Sequence, residues 1–417
     1  MTSQSIGHHL SYWMINMKEV KKNNWTARPF TIIWVSLLSS ILILVICYLQ
    51  NNIAYAFFDD INHFSKLEYI KRQLSNSQRN DSDVLYINIA YDKKLISYND
   101  PDYGFPEGVI DITDRSKLYQ FLDIAKKANN YNYIFLDVRF EKGYEDNDSL
   151  GEEKIDNALY KVIASTPRIV VSNHNDIIIA DSSILPKTAL NDYFTTITAT
   201  NLVRYQYLRG ESESVALRMY KDLYGKSISK HGPFYTSEGK LCYNCPFLRI
   251  ANEFPARYDD EGNANYYNLG VDLLDVYSEK EIADIIKNKT ILIGDLIEDV
   301  HDTYVGMLPG CFITYNAFKS LVNGKHLVNW SFMWISFILY FIISISMFSR
   351  KRVVEYLPII RSHQSGIVHF IITLLSYAAV MLIVSDLLYF ICNETSSIWF
   401  PSVYFSLVST ILNYIKR

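Results

Sequence analysis

Five cysteines in 417 residues are too few to hold a fold together by disulfides. No long acidic or basic block interrupts the chain, and the formal net charge of −4 gives no reason to expect nucleic acid as a partner. Low-complexity segments and internal repeats are missing. No P-loop, HExxH, GxSxG or protein-kinase signature occurs, so none of these routes to enzyme chemistry is legible. Neither an enzyme nor a cofactor is expected. What the chain does have is apolar sequence, 49% of its residues, crowded toward the two ends. Its 32 tyrosines suit sheet surfaces and interfaces without identifying a ligand.

Residues 30–49 carry no charge, and about twenty residues at 1.5 Å each cross roughly 30 Å of hydrocarbon. No small-residue cleavage site follows, so a retained membrane span is expected rather than a cleaved signal. Three further apolar segments lie at 330–348, 367–391 and 398–415. Arg350, Lys351, Arg352 and Arg361 fall after the second segment, Lys416 and Arg417 after the fourth, and Lys18, Lys21, Lys22 and Arg28 before the first. With four spans every positive cluster lies on one side, which places both termini, the 1–29 tail and the 349–366 loop in the cytoplasm and residues 50–328 outside.

Between the spans the composition is that of a globular domain. Residues 59–80 are expected to form an entry helix with Ile61, Phe64, Leu67, Ile70 and Leu74 on one face. Residues 84–90 and 133–138 read as strands around a helix at 113–129 capped by Thr113 or Asp114, a βαβ unit that calls for a parallel sheet. A helix at 151–165 and a strand at 168–171 follow. Residues 175–270 are less regular, with short apolar runs at 177–179 and 195–198 and a helical stretch at 218–224. Ser278 with Glu281 spells a capping box. Residues 290–293 then form an apolar run without alternation, as expected of a strand covered on both faces, and Gly294-Asp295 closes it.

Beyond that strand come Asp302, Pro309-Gly310, a helix containing Asn316-Ala317, and Gly324 just before the second span. This passage resembles the C-terminal signature of the CHASE2 family, an extracytoplasmic sensory domain of bacterial membrane receptors. The family pattern is an apolar strand ending in Gly, an Asp, Pro-Gly, a helix with His-Ala-Asn-Ala, and Gly before a transmembrane helix. Thr314-Tyr315 stand where the family usually has His-Ala, and the loop between Asp302 and Pro309 is short. The resemblance extends to Phe135–Phe140, which holds Asp137, and to the layout of one span, an outer domain and three more spans. It implies an α/β fold, a mostly parallel sheet flanked by helices in an extracytoplasmic domain, plus an α-helical membrane region of four spans in the bacterial cytoplasmic membrane.

Asp137, Arg139 and Asp295 fall at or beyond the carboxyl ends of expected strands, the edge where open α/β sheets bind ligands. Asp is also a good turn residue at such corners. With Asp302 and Asn316 of the signature they form the candidate ligand set. Asp299, His301 and Asp302 carry donors that a cation could use, but no second set with recognisable spacing appears, and a solvated loop without metal is expected. Cys242 and Cys245 form the one spaced pair; a local disulfide is expected, and a redox-active pair would need a stabilised thiolate. Asp386 is the acid inside a span, near its outer end.

CHASE2 receptors usually continue into a kinase, cyclase or similar output domain, whereas this chain ends at Arg417, so the output is expected in a separate protein. The leading expectation is a sensor or receptor subunit that binds a small molecule or a periplasmic partner. The other is an anchor in an envelope complex without a small ligand. The lipid bilayer is a partner in both, and a homo-oligomer is compatible with either.

Overall fold

The computed structural model describes residues 29–52, 61–75, 83–99, 105–146, 148–151, 153–175, 177–192, 204–250, 253–258, 261–262, 264–349 and 366–416. They form two units. Residues 51–56 and 68–328 make the larger one, built on strands β1 (Val84–Asn88), β2 (Tyr133–Leu136), β3 (Ile169–Asn173), β4 (Thr188–Leu190), β5 (Tyr266–Asn268) and β6 (Thr290–Gly294). The sheet order is β5-β1-β6-β2-β3-β4, and every pairing is parallel. All five residues of β6 are buried, which accounts for its lack of polar alternation. Because β6 is inserted between β1 and β2, it carries the end of the domain back to the centre of the sheet.

Helices cover both faces. On one lie α3 (Arg115–Ala128), α4 (Ile155–Ser165) and α6 (Glu279–Ile285), whose Leu118, Phe121, Leu159, Ile163 and Ile282 pack on Leu85, Ile87, Ile134, Leu136, Ile291 and Ile293. Fully burying each such side chain contributes roughly 1.5–3 kcal/mol. Helices α5 (Val215–Tyr224) and α7 (Gly310–Val322) take the other face, where Phe312 meets Tyr86 and Tyr133 donates to Asp222 at 2.6 Å. The caps follow the sequence. Asp114 accepts from the N–H groups of Ser116 and Lys117, and Ser278 with Glu281 forms the capping box.

The structure adds what periodicity did not signal. β4 and β5 are three-residue edge strands inside the irregular 175–270 stretch, too short to show a period. A hairpin of Lys93–Asn99 and Pro106–Thr113 precedes α3, and a three-stranded meander spans Ile228–His231, Phe234–Ser237 and Lys240–Cys242. Of the apolar run at 177–179, only Ile179 bridges, to Glu141. The run at 195–198 lies outside the described residues, as do Arg350, Lys351, Arg352 and Arg361.

The second unit comprises residues 1–50, 57–67 and 329–417, of which α1 (Pro29–Gln50), α8 (Trp330–Phe348), α9 (Gly366–Cys392) and α10 (Trp399–Lys416) are the long helices. Helix α2 (Ile61–Ser75) supplies its first seven residues to this unit. Among the described residues three helices are long and apolar enough to cross a membrane, Pro29–Gln50, Trp330–Phe348 and Phe370–Cys392; the apolar part of α10, Trp399–Leu412, is shorter. Their side-chain pattern is the reverse of a water-soluble bundle. Leu38, Leu42, Ile338, Ile342 and Leu375 face outward, while Ser36, Ser40, Ser336, Ser344, Ser385 and Ser402 are buried. Small residues inside let helices approach closely, and an apolar outer surface is what a membrane helix presents to lipid.

Candidate functional site

β6 and β2 lie side by side, with Ile293 opposite Leu136. Their carboxyl ends therefore deliver Asp295 and Asp137 to one edge of the sheet. The Asp137 N–H donates to the Ile293 carbonyl at 2.7 Å, which holds the residue against β6 beyond the last strand pair. The two acids nevertheless have different surroundings.

Asp137 is enclosed. Its Oδ1 accepts from Ser172 at the end of β3 and, at 3.0 Å, from Asn191 Nδ2, which follows β4. The same Nδ2 reaches Ser172 Oγ at 3.1 Å, and Asn191 Oδ1 accepts from Thr314 Oγ1 of α7 at 2.7 Å. Asp137 Oδ2 is buried and, among the described residues, receives no hydrogen bond. Burial pushes the carboxyl up to about 6; the neighbouring Asp299 adds to the rise, and the hydrogen bonds from Ser172 and Asn191, with the electrostatic influence of His174, oppose it.

Asp299 arrives from the turn before a hairpin, Val300–Thr303 with Gly306–Pro309, that leads into α7. His301 Nε2 lies 3.2 Å from Asp299 Oδ1. Two glycines permit this packing. A Cβ on Gly310 would lie 2.7 Å from Asp299 Oδ2, and one on Gly294 would lie 3.3 Å from both Asp137 Cβ and Cys311 Sγ. The Cys311 thiol is thus packed between the strand end and α7, and burial, reinforced by Asp137 and Asp299, raises its pKa well above the ordinary thiol value.

The other expected site residues are placed apart from this cluster or serve the frame. Asp295 caps its own turn, accepting from the N–H groups of Ile297 and Glu298, and pairs with Lys93 at 3.0 Å. Burial raises its carboxyl, but those hydrogen bonds outweigh it and the net shift is downward. The Arg139 guanidinium is more than half exposed and pairs with Glu141 at 2.6 Å rather than with Asp137, while its carbonyl accepts from the buried Arg115. Asp302 is exposed, on the opposite face of the hairpin ribbon from His301, because successive strand residues alternate. Asn316 is buried in α7 and donates to the Phe312 carbonyl at 3.0 Å.

Ser172, Asn191 and Thr314 were not legible as site residues. Ser172 sits inside a strand, Asn191 follows an edge strand too short to recognise, and Thr314 becomes adjacent only when α7 packs on the sheet. Asn88 is similar: it donates to Asn268 at 2.8 Å and accepts from the N–H groups of Ala90 and Leu296, tying β1 and β5 to the turn after β6.

Cys242 and Cys245, expected as a disulfide, are separate buried thiols in this structure. Their backbones are held by different segments, Cys242 by a bridge to Leu327 and Cys245 by an N–H donated to Asn51. Burial pushes the Cys242 thiol up to about 12, so almost no thiolate is present at neutral pH for redox chemistry.

The sequence profile of the CHASE2 domain matches residues 31–349. The chain belongs to the CHASE2 family. CHASE2 is a family of sensory extracytoplasmic domains, and the match runs from the first apolar helix through the sheet domain to the end of α8. No curated protein and no solved structure matches the chain. The CHASE2 signature residues Gly294 and Gly310 are the two that let Asp137, Cys311 and Asp299 come together. Thr314, where the family usually has His, supplies the hydroxyl that links α7 to Asn191.

Proposed function

We propose that this CHASE2 protein is a membrane-bound sensor subunit that spans the bacterial cytoplasmic membrane four times, with both termini cytoplasmic and residues 50–328 outside. A stimulus, either a small molecule or a periplasmic partner, acts at the polar edge around Asp137 and is passed to a separate output protein. One observation carries this reading: Thr314 belongs both to the Asp137 network and to α7, and the chain runs from α7 through residues 323–328 directly into α8. Any ligand acting there must bind one conformation better than the other, since equal affinity shifts nothing. No catalytic step is assigned.

Insertion of two or three flexible residues after Gly324 is the test. It should abolish the partner response and leave stimulus binding to the outer domain intact; an unchanged response removes this route. A second reading, an anchor in an envelope complex, is favoured by the outward face of the hairpin, where Leu95 and Val109 are exposed. Affinity purification in mild detergent separates the two. A cytosolic kinase or cyclase among the co-purifying proteins supports sensing, and a stoichiometric set of envelope proteins supports anchoring.

A further inference from the structure

Asp137 presents an unusual half-satisfied carboxyl. Oδ1 is fully engaged by Ser172 and Asn191, while Oδ2 is closed off from solvent without a donor among the described residues. An ionised carboxylate in that setting leaves a charged oxygen buried and unpaired, which is costly. The surroundings add to the cost rather than relieve it. From the hairpin comes Asp299, which lies against Gly310 and beside His301. From α7 comes the Cys311 thiol, and from the segment after residue 203 the Tyr205 phenol, whose pKa burial pushes up to about 12. The balancing group is His174, which follows β3 and stands 3.1 Å from Asp192, itself 3.0 Å from Arg209. A second carboxylate therefore flanks the enclosed one across Gly310-Cys311, the first turn of α7.

We infer that Asp137 is a proton-binding site, and that the outer domain takes up a proton there as its stimulus or as a condition for responding to one. Enclosure selects this ligand. An organic cation would need space at Oδ2, which is closed, and a metal ion would need several converging donors, a group of which is not formed among the described residues. A proton needs neither. Uptake places it on Oδ2, converts the carboxylate to a neutral acid and removes the repulsion from Asp299. Loss of the proton restores two negative charges on either side of the turn that starts α7, and so loosens the seat of the Val300–Pro309 hairpin. This inference rests on the reading of the sheet edge as the sensory site, and it names the ligand of that site.

The experiment is infrared difference spectroscopy of the full chain in lipid nanodiscs, titrated from about pH 5 to 8. A protonated-carboxyl stretch should appear with a midpoint near 6, vanish in Asp137→Asn, and move to lower pH in Asp299→Asn. Asp302→Asn, exposed on the other face of the hairpin, should leave it unchanged. Asp299 is about half exposed, so its variant keeps the inference testable even where Asp137→Asn fails to fold. A band that survives in Asp137→Asn overturns the inference. So does the absence of any titration, or a carboxylate change driven by added calcium or magnesium at constant pH. The Gly324 insertion tests the sensory reading separately: a missing titration with an insertion that still uncouples the response removes the proton and leaves the sensor.

Discussion

Thr314 Oγ1 donates to Asn191 Oδ1 at 2.7 Å, while the amide nitrogen of the same Asn191 reaches Asp137 and Ser172. One side chain thus joins a helix on one face of the sheet to the carboxyl ends of three strands. Thr314→Val keeps the shape and withdraws that donor from a buried oxygen, so stability should fall by about 1–2 kcal/mol. Thr314→Ser should restore most of it. Equal melting temperatures for the two variants would show that the link carries no energy.

Asp137 makes stability depend on pH in a direction opposite to most structural carboxylates. Its folded value, about 6, lies above the unfolded value near 3.9. The native state therefore binds the proton more tightly, and the contribution is fully present below about pH 4 and lost as pH rises through 6. The loss is on the order of 2–3 kcal/mol. Asp137→Asn should flatten this part of the pH profile and melt higher than the wild type at pH 7.5. A variant that melts lower at pH 7.5 and keeps the slope between pH 4 and 6 would refute it.

His63 Nε2 stands 3.1 Å from Asp386 Oδ1, with both side chains partly exposed. An acid on an apolar helix thus lies beside an imidazole whose pKa burial lowers. In detergent, His63→Ala, Asp386→Asn and the double variant should give a coupling of about 0.5–1 kcal/mol. Additive effects would mean that the two are neighbours without an energetic bond.

Cys242 and Cys245 are buried thiols, and replacing both by Ser buries two hydroxyls at about 1–3 kcal/mol each where they find no partner. A lower melting temperature with unchanged partner capture is expected. Loss of response at an unchanged melting temperature would make the pair functional.

The proposed four-span topology is open to cysteine labelling in a chain whose five native cysteines are replaced. A Cys at Glu394 should label from outside and one at Ser349 from inside only. Ser396 is unsuitable, because its side chain is buried against Tyr340. Labelling of Ser349→Cys from outside would overturn the orientation.

Much of the scaffold was legible because it is written in local patterns. Uncharged runs of about twenty residues mark apolar helices, β6 betrays its central place by having no polar alternation, and Ser278 with Glu281 announces a helix start. The same patterns, with Gly294, Pro309-Gly310 and Gly324, already pointed to the family. What the sequence could not determine is which polar groups share a cluster. Asp137 and Asp295 look alike at two strand ends, yet one is enclosed beside Asp299 and the other is held by Lys93 and its own turn. Asn191 and Thr314 are 123 positions apart and carry no periodic signal. Their meeting depends on a six-strand order and on the packing of α7. Local sequence encodes hydrophobic period and turn chemistry over a few residues, whereas burial and the pairing of polar groups are properties of the assembled sheet.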